Sequence, residues 1–128
     1  MIDIKPGSRG AQLDITFAEY TPTTKSLFRQ FHAQLSDWRA ERRADLQCEA
    51  NSNGVTYQKS SKAFVWVDFN NSWLRVLVPG VDPACYKGAE EMPNTPDQIK
   101  GARIRVSTAE DIPIAIRAIQ DAYADPKL

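Results

Sequence analysis

The sequence has no glycine-rich phosphate loop, no pair of histidines at metal spacing and no apolar run near the ~20 residues that a membrane span needs. No cofactor or metal is therefore implied, and a membrane partner is not expected. The start lacks the basic segment followed by an apolar one that marks a secretory leader, so a cytoplasmic location is the expectation. Histidine occurs once, as His32, among aromatic and apolar neighbours. A serine or cysteine nucleophile normally needs a base beside it, and His32 reads as a helix-flank residue rather than a catalyst. Cys48 and Cys85 lie far apart with no ligand-like spacing, which favours free thiols in a reducing compartment over a disulfide or a zinc site. Neither neighbourhood shows why a thiol pKa should fall. An excess of one charge is also missing: 16 basic residues stand against 16 acidic ones. No global field draws the chain to nucleic acid or an anionic membrane, so any such binding must come from a local patch.

What is present is a β-rich stretch from Ala63 to Val78, AFVWVDFNNSWLRVLV. Val65, Val67 and Phe69 alternate with Phe64 and Trp66, and Trp73 and Leu77 alternate with Leu74, Val76 and Val78. Asn70-Asn71-Ser72 supplies the turn, because asparagine tolerates the left-handed backbone of tight hairpins. Strands apolar on both faces need cover on both sides or a central place in a sheet. The 128 residues suit a single domain, which at this size buries roughly two-thirds of its unfolded surface.

Around this hairpin the chain reads as follows. Residues 1–20 form an N-terminal arm in which Leu13, Ile15 and Phe17 alternate, either an edge strand or an extended arm packed on the domain. Thr21-Pro22 starts a helix predicted to run to about Leu46, with Leu27, Phe31, Leu35 and Trp38 as its buried stripe. Its Arg39, Arg42 and Arg43 are interleaved with Asp37, Glu41 and Asp45, which favours a solvated face over a phosphate patch. Val55–Lys59 alternates as a strand after the turn cluster Asn51-Ser52-Asn53-Gly54.

Residues 79–101 hold four of the eight prolines and three glycines and read as a long loop, with a helical turn near Asp82 to Tyr86 or Asp97 to Lys100. Long loops in small domains are often functional, and the alternative is a surface excursion that caps one sheet face. Arg103–Ser107 is a last strand. Ser107 with Glu110, or Thr108 with Asp111, caps a closing helix in which Pro113 fits only the first turn. Ile112, Ala115, Ile116, Ile119 and Tyr123 make its stripe. The fold class is thus α+β: an antiparallel sheet of four or five strands with a central β-hairpin, packed by an N-terminal and a C-terminal helix.

Chemistry is sparse. Asp68 is the one carboxylate inside an otherwise apolar strand, and an ion pair with Arg75 or an arginine of the last strand is favoured over a general base. A sheet face carrying Arg75, Arg103 and Arg105 with Trp66 and Trp73 can bind single-stranded nucleic acid by stacking and charge. The charge balance, and the helices that need a place to dock, favour packing beneath a helix instead.

The run from Lys62 to Trp66, then Trp73 to Val76, then Ile104 to Asp111, with Tyr123, resembles a family of unknown-function domains labelled predicted transport proteins, and more loosely the MmcQ/YjbR group. The likeness covers about Thr23 to Tyr123. It implies a compact α+β domain, and the MmcQ/YjbR group has been likened to double-wing DNA-binding domains. Where that family's middle loop carries glycine and histidine, this chain has Pro93-Asn94-Thr95-Pro96, so no loop role and no catalytic residue is carried over.

The leading expectation is a non-enzymatic cytoplasmic binding or accessory module for nucleic acid or a protein partner. The alternative is a small-molecule binder or enzyme with a pocket between the long loop and the sheet, lined by Trp66, Trp73, Tyr86 and Met92. A homodimer through exposed aromatics is a third possibility.

Overall fold

The computed structural model describes residues 1–92 and 100–125, and Pro93-Asn94-Thr95-Pro96 and the alternative helical turn from Asp97 lie outside them. The chain is α+β, and its described residues form a seven-stranded sheet in the order β1-β2-β3-β4-β5-β7-β6. β4 (Lys62–Asn70) and β5 (Trp73–Pro79) form the central hairpin, flanked by β3 (Gly54–Lys59) and β7 (Gly101–Val106). Three short strands enlarge the sheet beyond the four or five expected: β1 (Ile4–Lys5), β2 (Gln47–Ala50) and β6 (Glu90–Glu91). β1 runs parallel to β2, and every other neighbouring pair is antiparallel.

The arm contributes the edge strand β1, but its alternating residues Leu13, Ile15 and Phe17 are not in a strand. Leu13–Ala18 is a helix, α1, because Leu13 and Phe17 stand four residues apart and pack inward together while Ile15 is 65 % exposed. Phe17 sits edge-on to Phe28 and against Phe69, which fixes α1 at the end of the sheet.

Helix α2 (Pro22–Arg42) begins as the sequence implies. The Thr21 hydroxyl accepts from the Thr24 amide, and Pro22 occupies the first turn. It stops before Leu46, because Arg43 takes a left-handed cap with φ 51° and residues from Gln47 are claimed by the sheet edge. Leu27, Phe31 and Leu35 are buried, and Trp38 packs edge-on to Tyr123. Helix α3 (Ile112–Tyr123) follows a Thr108/Asp111 capping box, with Pro113 in its first turn.

Thr24 ties α2 to the hairpin turn: its hydroxyl donates to the Asn70 carbonyl at 2.6 Å and accepts from the Ser72 amide at 2.7 Å. The left-handed residue of that turn is Ser72, with φ 70°, rather than an asparagine.

A register shift between Tyr57 and Gln58 gives β4 one extra residue, so Phe64 and Val65 are both buried. Phe64 thus faces Tyr123 instead of sharing a face with Trp66. Beyond the bulge the alternation holds. Val65, Val67 and Phe69, with Leu74, Val76 and Val78, join the core beneath α2 and α3. The residues between them line the opposite face, which is only half-buried. Among the described residues no helix is long and apolar enough to cross a membrane.

Candidate binding face of the sheet

The half-buried face gathers most of the residues singled out from the sequence. Register places Trp66 opposite Leu77, Asp68 opposite Arg75, Leu77 opposite Arg103 and Arg75 opposite Arg105. Packing of this face beneath a helix was the favoured expectation, and it is overturned for the arginines: α2 and α3 both dock on the other side, leaving Arg75 40 % exposed, and only α1 lies near this face, beside Trp66 on β4.

Two guanidiniums directly opposite each other repel, and each turns away to a different partner. Arg75 donates through Nε and Nη2 to one oxygen of Asp68, at 3.3 and 3.1 Å. The ion-pair reading of Asp68 therefore holds. Arg105 reaches diagonally along the face and lies over the Trp73 ring, 4.1 Å from its centroid, while its Nε donates to the Ser107 hydroxyl at 3.0 Å. Among the described residues no carboxylate pairs with Arg105. Arg103 is ion-paired with Glu90 on β6.

β6 and the bend before it raise a wall along β7. Together with the sheet they enclose a cleft of about 240 Å³ lined by Trp73, Arg75, Gly88, Glu90, Arg103 and Arg105. A pocket between the long loop and the sheet thus exists, but of the expected set only Trp73 lines it, and arginines take the place of the others. Trp66 lies outside it, in a separate groove of about 630 Å³ between α1 and strands β2–β4. Met92 sits against Gly101, where a Cβ atom would come 2.5 Å from its sulfur.

Tyr86 belongs to the core. It is buried under α3, its hydroxyl donates to Asp121 at 2.5 Å, and Arg117 covers its ring. Burial first, and Asp121 second, push its pKa up. Sequence reasoning placed it in the pocket because a helical turn in a proline-rich loop gives no sign of which side its aromatic residue faces.

The remaining polar candidates are structural. His32 is buried and stacked on Phe28. Its Nε2 lies 2.8 Å from the Ile2 carbonyl, which can only accept, so Nε2 carries the proton and Nδ1 accepts from the Tyr57 hydroxyl at 2.7 Å. Burial lowers its pKa. Cys48 is also buried, and desolvation pushes its thiol up to about 12, whereas Cys85 is exposed. Arg42 and Arg43 are exposed at the end of α2, on the helical side of the molecule. Among the described residues no group of three or more His, Cys, Asp or Glu could hold a metal ion.

No family model, curated protein or solved structure matches this chain.

Glu90 and Gly88 complete the cleft and were not singled out from the sequence, and Ser107, read there only as a helix cap, accepts a hydrogen bond from the Arg105 that lines it. Ser107 carried a signal, standing two residues from Arg105 on the same strand face. Glu90 carried none, since its role depends on a two-residue strand with no periodicity to detect.

Proposed function

We propose that the chain is a non-enzymatic cytoplasmic binding module that receives single-stranded nucleic acid on the uncovered face of its sheet. The observation that carries this reading is the stack of Arg105 on Trp73, beside Arg75 and Arg103 on the β5–β7 half of the face, which neither α2 nor α3 covers. Unpaired bases stack on aromatic rings and on guanidinium planes, and the outer plane of Arg105 offers such a platform. Its N–H groups are free of carboxylates among the described residues, so they can reach a phosphate. A duplex keeps its bases stacked on one another and has less to offer this surface.

The test is fluorescence anisotropy with labelled single- and double-stranded oligonucleotides at low and near-physiological salt. Single strands are expected to bind more tightly and to weaken as salt rises. Each phosphate contact on a single strand contributes roughly 0.7 to the slope of log affinity against log salt, so three arginines give a slope no steeper than about −2. Absence of binding at low salt, or affinity retained after Arg75, Arg103 and Arg105 are all changed to alanine, would overturn the reading.

The arginine-lined cleft favours a second reading, a small anionic molecule held between the 86–90 segment and the sheet. A ligand at a hundred times its dissociation constant adds ~2.7 kcal/mol to stability, which a thermal-shift screen of anionic metabolites detects readily. A screen in which no compound moves the melting temperature would remove this alternative.

A further inference from the structure

We propose that the Glu90 carboxylate is an internal stand-in for a ligand phosphate, so that β6 competes with the nucleic acid strand for Arg103. The inference rests on the nucleic-acid reading of the face and assigns one phosphate subsite within it. Glu90 lines the same cleft as Arg75, Arg105 and Trp73, and its carboxylate is paired with the Arg103 guanidinium. A carboxylate and a phosphodiester both present two acceptor oxygens carrying one negative charge, and the guanidinium fork fits either. What occupies Arg103 in the free protein therefore has the shape and charge of the group expected there in the complex.

The two ion pairs of the face differ in how easily they exchange. Asp68 lies within the sheet on β4, is 20 % exposed and accepts two hydrogen bonds from Arg75. It belongs to the scaffold. Glu90 is 67 % exposed and sits on a two-residue strand at the sheet edge. Pairs this exposed are screened by solvent and salt and contribute little, so an incoming phosphate can replace Glu90 and the freed carboxylate returns to water at small cost. The neighbouring Glu91 points to the other side of β6, because side chains alternate along a strand, and it stands opposite Ala102 instead of an arginine.

Glu90→Gln and Glu91→Gln remove the same charge from adjacent positions, and only the first frees Arg103. Oligonucleotide anisotropy at low salt on the wild type and both variants separates the cases. The expected result is a gain of roughly twofold to fivefold for Glu90→Gln, with Glu91→Gln unchanged. Glu90→Ala should repeat the gain, and the melting temperatures should stay close to the wild type because the pair is exposed. Equal gains in both variants would mean a general charge effect and overturn the inference, as would an unchanged or weaker Glu90→Gln. If the wild type binds while Glu90→Gln brings no gain, the subsite assignment fails and the nucleic-acid reading stands. If neither protein binds, both fall together.

Discussion

The guanidinium of Arg105 lies 4.1 Å from the centroid of the Trp73 ring, joining the penultimate residue of β7 to the first residue of β5 across a diagonal of the sheet. The stack needs a planar cation, and lysine does not supply one. Arg105→Lys keeps the charge and loses the platform. If bases stack on that plane, the variant should bind single strands at least fivefold more weakly with a nearly unchanged salt slope, since base stacking contributes ~1–3 kcal/mol. Arg105→Ala should lose more affinity at low salt and flatten the slope as well. Anisotropy titrations at several salt concentrations check both, and an Arg105→Lys protein that binds as tightly as the wild type would show that only charge matters.

The two thiols differ in access. Cys85 is exposed at the end of the helical turn Pro83–Cys85, whereas Cys48 is buried with its thiol pushed up to about 12. A disulfide-exchange reagent at pH 8 should label one thiol rapidly in the folded protein and two in denaturant. Cys85→Ser should abolish the fast labelling. Fast labelling that survives in that variant would place Cys48 within reach of solvent.

Much of the frame was legible in the sequence. The helix start at Thr21-Pro22, the capping box before α3 and the central hairpin each rest on local chemistry that the fold respects. The failures have physical causes. Leu13, Ile15 and Phe17 fit a strand by alternation and a helix through the 13/17 pair, and only tertiary packing of Phe17 against Phe28 and Phe69 decides between them. The helix was carried to about Leu46 and the strand Gln47–Ala50 went unassigned, because Arg43 ends that helix without a glycine to announce it. Period-two alternation assigned Arg75, Arg103, Arg105 and Trp73 to one face, yet alternation cannot tell which face the helices cover. That depends on where α2 and α3 dock, a property of the whole chain.

Thr24 links α2 to the hairpin turn with one hydroxyl that serves both a carbonyl and an amide. Thr24→Val preserves shape and removes the hydroxyl, leaving the Asn70 carbonyl and Ser72 amide without that partner. Each part-buried group so orphaned costs on the order of 1–3 kcal/mol. With two such groups the variant should lose about 2–6 kcal/mol of unfolding free energy, seen as a lower denaturant midpoint with an unchanged slope of the transition. Thr24→Ser keeps the hydroxyl and should remain close to the wild type. A Thr24→Val protein as stable as the wild type would mean that water replaces the hydroxyl at the turn.

His32 gives stability a pH dependence near neutrality. In the folded protein its Nδ1 accepts from Tyr57 and its Nε2 donates to Ile2, a pattern that requires the neutral ring. Burial accordingly holds its pKa below the ordinary 6.5. The unfolded chain then takes up a proton before the folded one does. The contribution is complete above about pH 6.5 and is lost as pH falls from there toward the folded pKa, by at most ~1.4 kcal/mol per pH unit. Asp45, whose pKa is lowered from 3.8 chiefly by a hydrogen bond from Gln47, acts in the opposite charge class and only at much lower pH. Urea denaturation at pH 7.5 and 5.5 should therefore show a clear loss of stability, and His32→Gln should be less stable at pH 7.5 but nearly insensitive between the two values. Since Ile2 also donates its amide to Ser36 at 3.1 Å, the same loss should be visible as faster amide exchange at Ile4 and Lys5 of β1 as the pH falls, after correction for intrinsic rates. A pH dependence that is identical in the wild type and His32→Gln would assign it to other groups and leave the buried histidine a packing residue.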